Sequence, residues 1–365
     1  MTTSTSPGND IALGLITQDL MFLRRFMQGV IDAGDQAAVP MFCMYNYSCL
    51  IVHESHRALR AIEPDLAQLL AYEGADAIER ARHSVKLFDD TKKKLSDIGT
   101  DFDRIIKAHR AEFLGNTWLP LARPLETDLA LWRYRGRVIS TSHVANFFMA
   151  FPPDQIRDAP SLGSELHNIA SELARYTAAV TGELAWEGTS FMDTMMKTDL
   201  TAKDVRAKKI YQRAFDPAFS EEIKAALTAF TCALNVVDVL LTDDANSNSA
   251  ATVTKLRYIT LHHILSSLGK LAEQYGSRLQ PSAREALADM LTAPMSLKVT
   301  QAHRHFRNTL VHYRPERGVL DHLTLDASLF GLVEAYFGED FASFTAELRS
   351  HVSYVAQQME GWSRW

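Results

Sequence analysis

The chain has 365 residues, of which 47% are hydrophobic and 22% charged, and its net charge is −6. Such a composition can bury a large core and excludes a fibrous or wholly disordered protein. The acidic total also argues against non-specific coating of nucleic acid, although a local basic focus remains compatible with it.

The first nine residues are rich in Ser, Thr, Gly and Pro and are expected to be a disordered tail. They lack the basic start and short apolar core of a signal peptide. Ile11 to Ala33 places Leu13, Ile16, Leu20, Leu23, Phe26 and Val30 at helical spacing. A second apolar helix is predicted from Val39 to Ile62, ending before Pro64. Its apolar part, Ala38 to Val52, is interrupted by Asn46 and Ser48 and is too short to span a bilayer. No longer apolar run is apparent, so a cytoplasmic location without a membrane partner is expected. A long charged helix is predicted over Asp76–Phe113, with Gly99 as a potential break and Gly115-Asn116 as its end.

From Asn116 to Pro160 the pattern is irregular, with a short hairpin suggested around Trp132–Ile139 and a breaker at Phe151-Pro-Pro-Asp. Helices resume at Ser164–Thr181 and Ala202–Phe215. The last third is the most regular. Helices are predicted from Asp216-Pro217 to Leu241, Thr252–Tyr275, Ala283–Leu291, Met295–Tyr313, Ser328–Phe337 and Asp340–Trp362, with a polar loop after Leu241. Short polar joints between amphipathic helices imply antiparallel packing. The expected fold class is therefore all-α, a multi-helix bundle divided into an N-terminal helical region (10–155) and a C-terminal bundle (156–365).

The chemistry concentrates in Arg307-Asn308-Thr309-Leu310-Val311-His312-Tyr313. On a continuous helix from Met295, steps of about 100° put Val299, Ala302, Phe306 and Leu310 in one core-facing sector. Gln301, Arg304, Asn308 and His312 then lie opposite, with Arg307 and Val311 on the flank. An imidazole that titrates near neutrality, a guanidinium that grips phosphate and an amide would share one patch. Around them stand His303, His305, Arg304, Arg314 and Arg317, with Glu316 the single acid, a positive focus on an acidic chain.

Arg307-Asn308-x3-His312 resembles the Arg-polar-x(3–5)-His motif of HEPN domains (higher eukaryotes and prokaryotes nucleotide-binding). These are helical bundles, many of them metal-independent endoribonucleases that act as toxins or phage-defence effectors. Others have lost catalysis and serve as binding modules. The resemblance implies a C-terminal HEPN-like bundle that cleaves RNA by attack of a ribose 2′-hydroxyl. Arg307, Asn308 and His312 would be catalytic, and Arg304, Tyr313, Arg314 and Arg317 would contact RNA. It further implies a homodimer, because such sites are generally built from two motifs, and a protein partner such as an antitoxin. No metal or cofactor is implied. The alternative is a non-catalytic interaction or nucleotide-binding module using the same face.

Other patterns carry less. His53-Glu54-Ser55-His56 lacks zincin spacing. Arg137 and His143 form a second Arg-x5-His, without a polar residue after the arginine. His262-His263, Met192, Met195 and Met196 are expected to be structural. Cys43, Cys49 and Cys232 are odd in number and lie in apolar helical patterns, so reduced core thiols are expected.

Overall fold

The computed structural model describes residues 7–70, 78–82, 95–182, 190–195, 197–241, 249–302 and 304–363. The helices used below are α1 (Pro7–Ala33), α2 (Ala38–Ile62), α3 (Pro64–Leu69), α4 (Leu95–Phe113), α5 (Ser142–Met149), α6 (Ala159–Thr181), α7 (Phe191–Thr194), α8 (Ala207–Arg213), α9 (Glu221–Asn235) and α10 (Ser249–Tyr275). The chain ends with α11 (Pro281–Thr292), α12 (Pro294–Leu297), α13 (Arg304–His312), α14 (Leu332–Phe337) and α15 (Phe341–Ser363). The architecture is all-α, with a small antiparallel sheet inserted among the described residues.

That sheet has the order β2-β1-β3, from Leu129–Tyr134 (β1), Arg137–Thr141 (β2) and Leu200–Val205 (β3). The suggested hairpin exists. Arg135 and Gly136 both take positive φ, 48° and 79°, as a tight two-residue turn between twisted strands requires. β3 corrects the expected helix from Ala202. Its side chains are mostly exposed, so no apolar periodicity marks it, and it is held by backbone pairing with β1.

The centre of the molecule is α9, packed by α4, α5, α8, α10, α15 and β2. Ala225, Ala226, Ala229 and Ala233 keep its surface low enough for neighbours to approach from all sides. Its buried hydroxyls are satisfied within the helix: Thr228 donates to Lys224 O at 2.8 Å and Thr231 to Leu227 O at 3.0 Å. Glu221–Leu240 has the length and mean hydropathy (1.6) of a membrane span, contrary to the sequence expectation, but 89% of it is buried inside the protein. Gly99 does not break α4. A Cβ there would come within 3.2 Å of Glu222 and Ile223 side chains on α9, so the glycine permits close helix contact.

Several other boundaries shift. α1 begins at Pro7, inside the expected tail. Most of the predicted 76–94 stretch lies outside the described residues. Asp216 starts a turn and not a helix, its carboxylate accepting from Ala218 N and Gln280 N. Among the described residues, π-helical turns lie at Val236–Leu240 and Lys298–Ala302. Buried Arg257 serves the first, donating to Val237 O at 3.0 Å and Leu241 O at 2.9 Å. Ser328–Phe337 is broken by left-handed Leu329 and Phe330 before α14 begins. One hydrophobic cluster includes residues on both sides of 155, where a division was expected. α1 packs on α6 and α10, and α13 packs on α2, so contacts cross that position.

Candidate active site

The predicted helix Met295–Tyr313 is three pieces: α12, a π turn and α13. A π turn takes more residues per turn than an α-helix, so angles extrapolated across it drift. Val299, Phe306 and Leu310 are buried as expected, but Arg307, Thr309, Val311 and Tyr313 are buried too. α13 is therefore clamped on more than one side, by α2 and α10. His312 and Asn308 are half-buried.

His312 has a partner that the sequence did not reveal. Its Nδ1 lies 2.7 Å from Oε2 of Glu54, on α2. The Glu54 side chain is 1% exposed, whereas that of His312 retains 28%. Buried Arg82 donates to the other carboxylate oxygen of Glu54. Burial alone would raise the Glu54 pKa, but the His312 hydrogen bond and the Arg82 charge outweigh it and hold the carboxyl down to about 2. An ionised, buried carboxylate fixed on Nδ1 sets the imidazole orientation and tautomer, leaving Nε2 for proton transfer.

Arg307 is 8% exposed. Its Nη2 lies 3.3 Å from Nε2 of His263, on α10, and its Nη1 donates to Asn308 Oδ1 at 3.1 Å. Asn308 thus accepts from Arg307 and helps to orient its guanidinium. Arg307, Asn308 and His312 all lie on α13, with Arg307 directed to His263 on α10 and His312 to Glu54 on α2.

Tyr313 corrects an expected RNA contact. It is fully buried at the end of α13 with φ 54°, and its hydroxyl donates to Asp19 Oδ2 at 2.7 Å. Asp19, on α1, also accepts from Lys255 and, at 2.7 Å, from Thr252, both on α10. The Lys255 ammonium sits 4.1 Å from the Tyr313 ring centroid. Burial lowers the Lys255 pKa while Asp19 opposes that shift. This anchor joins α1 and α10 to the end of the motif helix. Arg314 and Arg317 are exposed, as a ligand contact requires. The side chain of Arg304 lies outside the described residues.

Glu54, Arg82, His263, Asp19 and Lys255 were not singled out as site residues from sequence. The available signal was an acid inside an otherwise apolar helix, since a buried carboxylate must find a cation or donor. That acid lies in His53-Glu54-Ser55-His56. Among the described residues no group of three or more His, Cys, Asp or Glu side chains is placed to hold a metal ion. The three cysteines are buried and free. Comparison with protein-family models, curated proteins and solved structures finds no match for the chain.

Proposed function

We propose that the chain is a metal-independent, HEPN-like endoribonuclease, of the kind that acts as a toxin or phage-defence effector. The observation that carries this is the Glu54–His312 pair on the helix that also bears Arg307 and Asn308. His312 Nε2 would take the proton from a ribose 2′-hydroxyl as its oxygen bonds to the adjacent phosphorus. The P–O5′ bond then breaks, and the leaving oxygen takes a proton from a second acid. Arg307 would stabilise charge on the non-bridging oxygens. A second copy of His312 across a two-fold axis would supply that acid, which makes a homodimer part of the proposal. Exposed Arg314 and Arg317 would hold the flanking RNA backbone.

The test is cleavage of an RNA pool in EDTA by wild type and His312→Ala. Cleavage should survive chelation and yield 2′,3′-cyclic phosphate ends or their hydrolysed form. DNA of the same sequence should be inert, because it lacks the 2′-hydroxyl. Equal rates for the two proteins would mean that another nuclease does the cutting. One observation favours a non-catalytic role: Arg307 is buried and bonded within the fold to His263 and Asn308. A wild type that binds RNA or a nucleotide through this face without cutting would establish that role.

A further inference from the structure

Among the described residues, large exposed apolar side chains concentrate in one segment. Trp118, Leu121 and Leu125 are 88%, 86% and 80% exposed, with Leu119 and Phe113 partly exposed beside them. The segment is built to hold this shape. Residues Pro120–Leu125 form a short 3-10 helix with proline at its first and fifth positions. The Glu126 carboxylate ties its ends together, accepting from Gly115 N at 2.7 Å and Thr117 N at 2.8 Å. Side chains so fully exposed project from the surface, so they ask for a medium that adapts to them. A bilayer interface is such a medium, and Trp and Leu are residues that enter it.

The charge beside the projection favours the same occupant. Leu125 lines a groove of about 430 Å³ together with Arg206, Lys209 and Arg213. Glu126 and Asp204 also line it, but Glu126 is already engaged by two amides. Among the described residues, no ion pair neutralises those three cations. Lys203 and Lys208 are exposed nearby in sequence. An apolar wedge bordered by cations matches the chemistry of an anionic lipid surface, whose phosphates meet the arginines and lysine while the wedge enters the acyl boundary.

We infer that the 117–126 projection and the adjoining Arg206/Lys209/Arg213 groove form a peripheral docking site for an anionic membrane surface. Such a contact needs no membrane span, and the absence of a recognised span was the ground for expecting no membrane partner. It is independent of the ribonuclease proposal.

The test is co-sedimentation of the full chain with mixed phosphatidylglycerol–phosphatidylcholine vesicles and with pure phosphatidylcholine vesicles. Wild type should bind the anionic vesicles about tenfold better, and salt should weaken the binding. Leu121→Glu/Leu125→Glu and Lys209→Glu/Arg213→Glu should each lower it about tenfold or more, with circular dichroism unchanged because all four positions are exposed. Quenching of tryptophan fluorescence by brominated lipid, reduced in Trp118→Phe, reads insertion without those variants. Wild type left in the supernatant, or equal binding by all proteins, would overturn the proposal. If vesicles do not bind and the leucine variant halves the mass by light scattering, the face joins two copies of the chain. If they do not bind and the groove variant weakens RNA affinity, the groove serves RNA. Either result also overturns it.

Discussion

Two arginine–histidine pairs of similar spacing sit in this chain, and they end in opposite environments. His312 has a buried carboxylate on Nδ1 and keeps part of its ring exposed. His143 is wholly buried: its Nδ1 faces the Tyr211 hydroxyl at 3.0 Å, and its ring centroid lies 4.7 Å from that of His109. Burial pushes the pKa of both His143 and His109 down, the latter to about 4. Arg307 lies on the same helix as His312, whereas Arg137 is drawn to Asn235 at 2.7 Å and Asp238 at 3.4 Å. A histidine suits proton transfer at neutral pH when one nitrogen is held by an acid and the other can reach a substrate. His143 has neither condition. Spacing along the chain cannot distinguish the two cases, because each condition depends on residues elsewhere.

The sharpest way to break this contrast is to remove each histidine. His312→Ala should lower RNA cleavage by roughly 10²–10⁴-fold. It should also cost about 1–3 kcal/mol of stability, since Glu54 loses a charged hydrogen bond. Rates are therefore to be compared at equal folded fraction. His143→Ala should leave the rate per folded molecule unchanged and lower the melting temperature. The contrast fails if the two variants cleave equally. Asp19→Ala tests the anchor at the end of α13. It strands Lys255 in the interior and releases Tyr313, and denaturant unfolding should register a loss of about 4 kcal/mol.

Acid separates the two regions by pH. His109 titrates near its ordinary 6.5 when unfolded and at about 4 when folded. Between those values the unfolded chain binds more protons, so stability falls as pH falls, by roughly 3 kcal/mol for this group. Glu54 acts in a lower window. Its folded value of about 2 lies below the ordinary 4.5, so its contribution is complete above 4.5 and is lost as pH drops towards 2. Melting temperatures should therefore begin to decline near pH 6.5, and His109→Gln should blunt that early phase while leaving the lower one. The smallest effect expected is that of Arg137→Ala, about 1–2 kcal/mol by denaturant unfolding with no change in cleavage. A loss of activity there would make the Arg137/His143 pair part of the site.

Much of this molecule is a direct consequence of its sequence. Apolar residues at spacings of three and four determine α1, α2, α10 and α15, because one stripe of each helix must leave water. Tyr134-Arg-Gly-Arg137 determines a hairpin, because glycine readily takes the left-handed conformation its turn needs. Arg307, Asn308 and His312 fall on one short helix for the same local reason. What lies between distant segments was decided only by tertiary packing. Glu54 and His312 are 258 residues apart in the chain, and they meet because α13 packs on α2. Tyr313 looked like a ligand contact until α1 brought Asp19 to its hydroxyl. The physical reason is that periodicity reports which side of an element is apolar, whereas a buried charge is stable only where the whole fold brings it a partner.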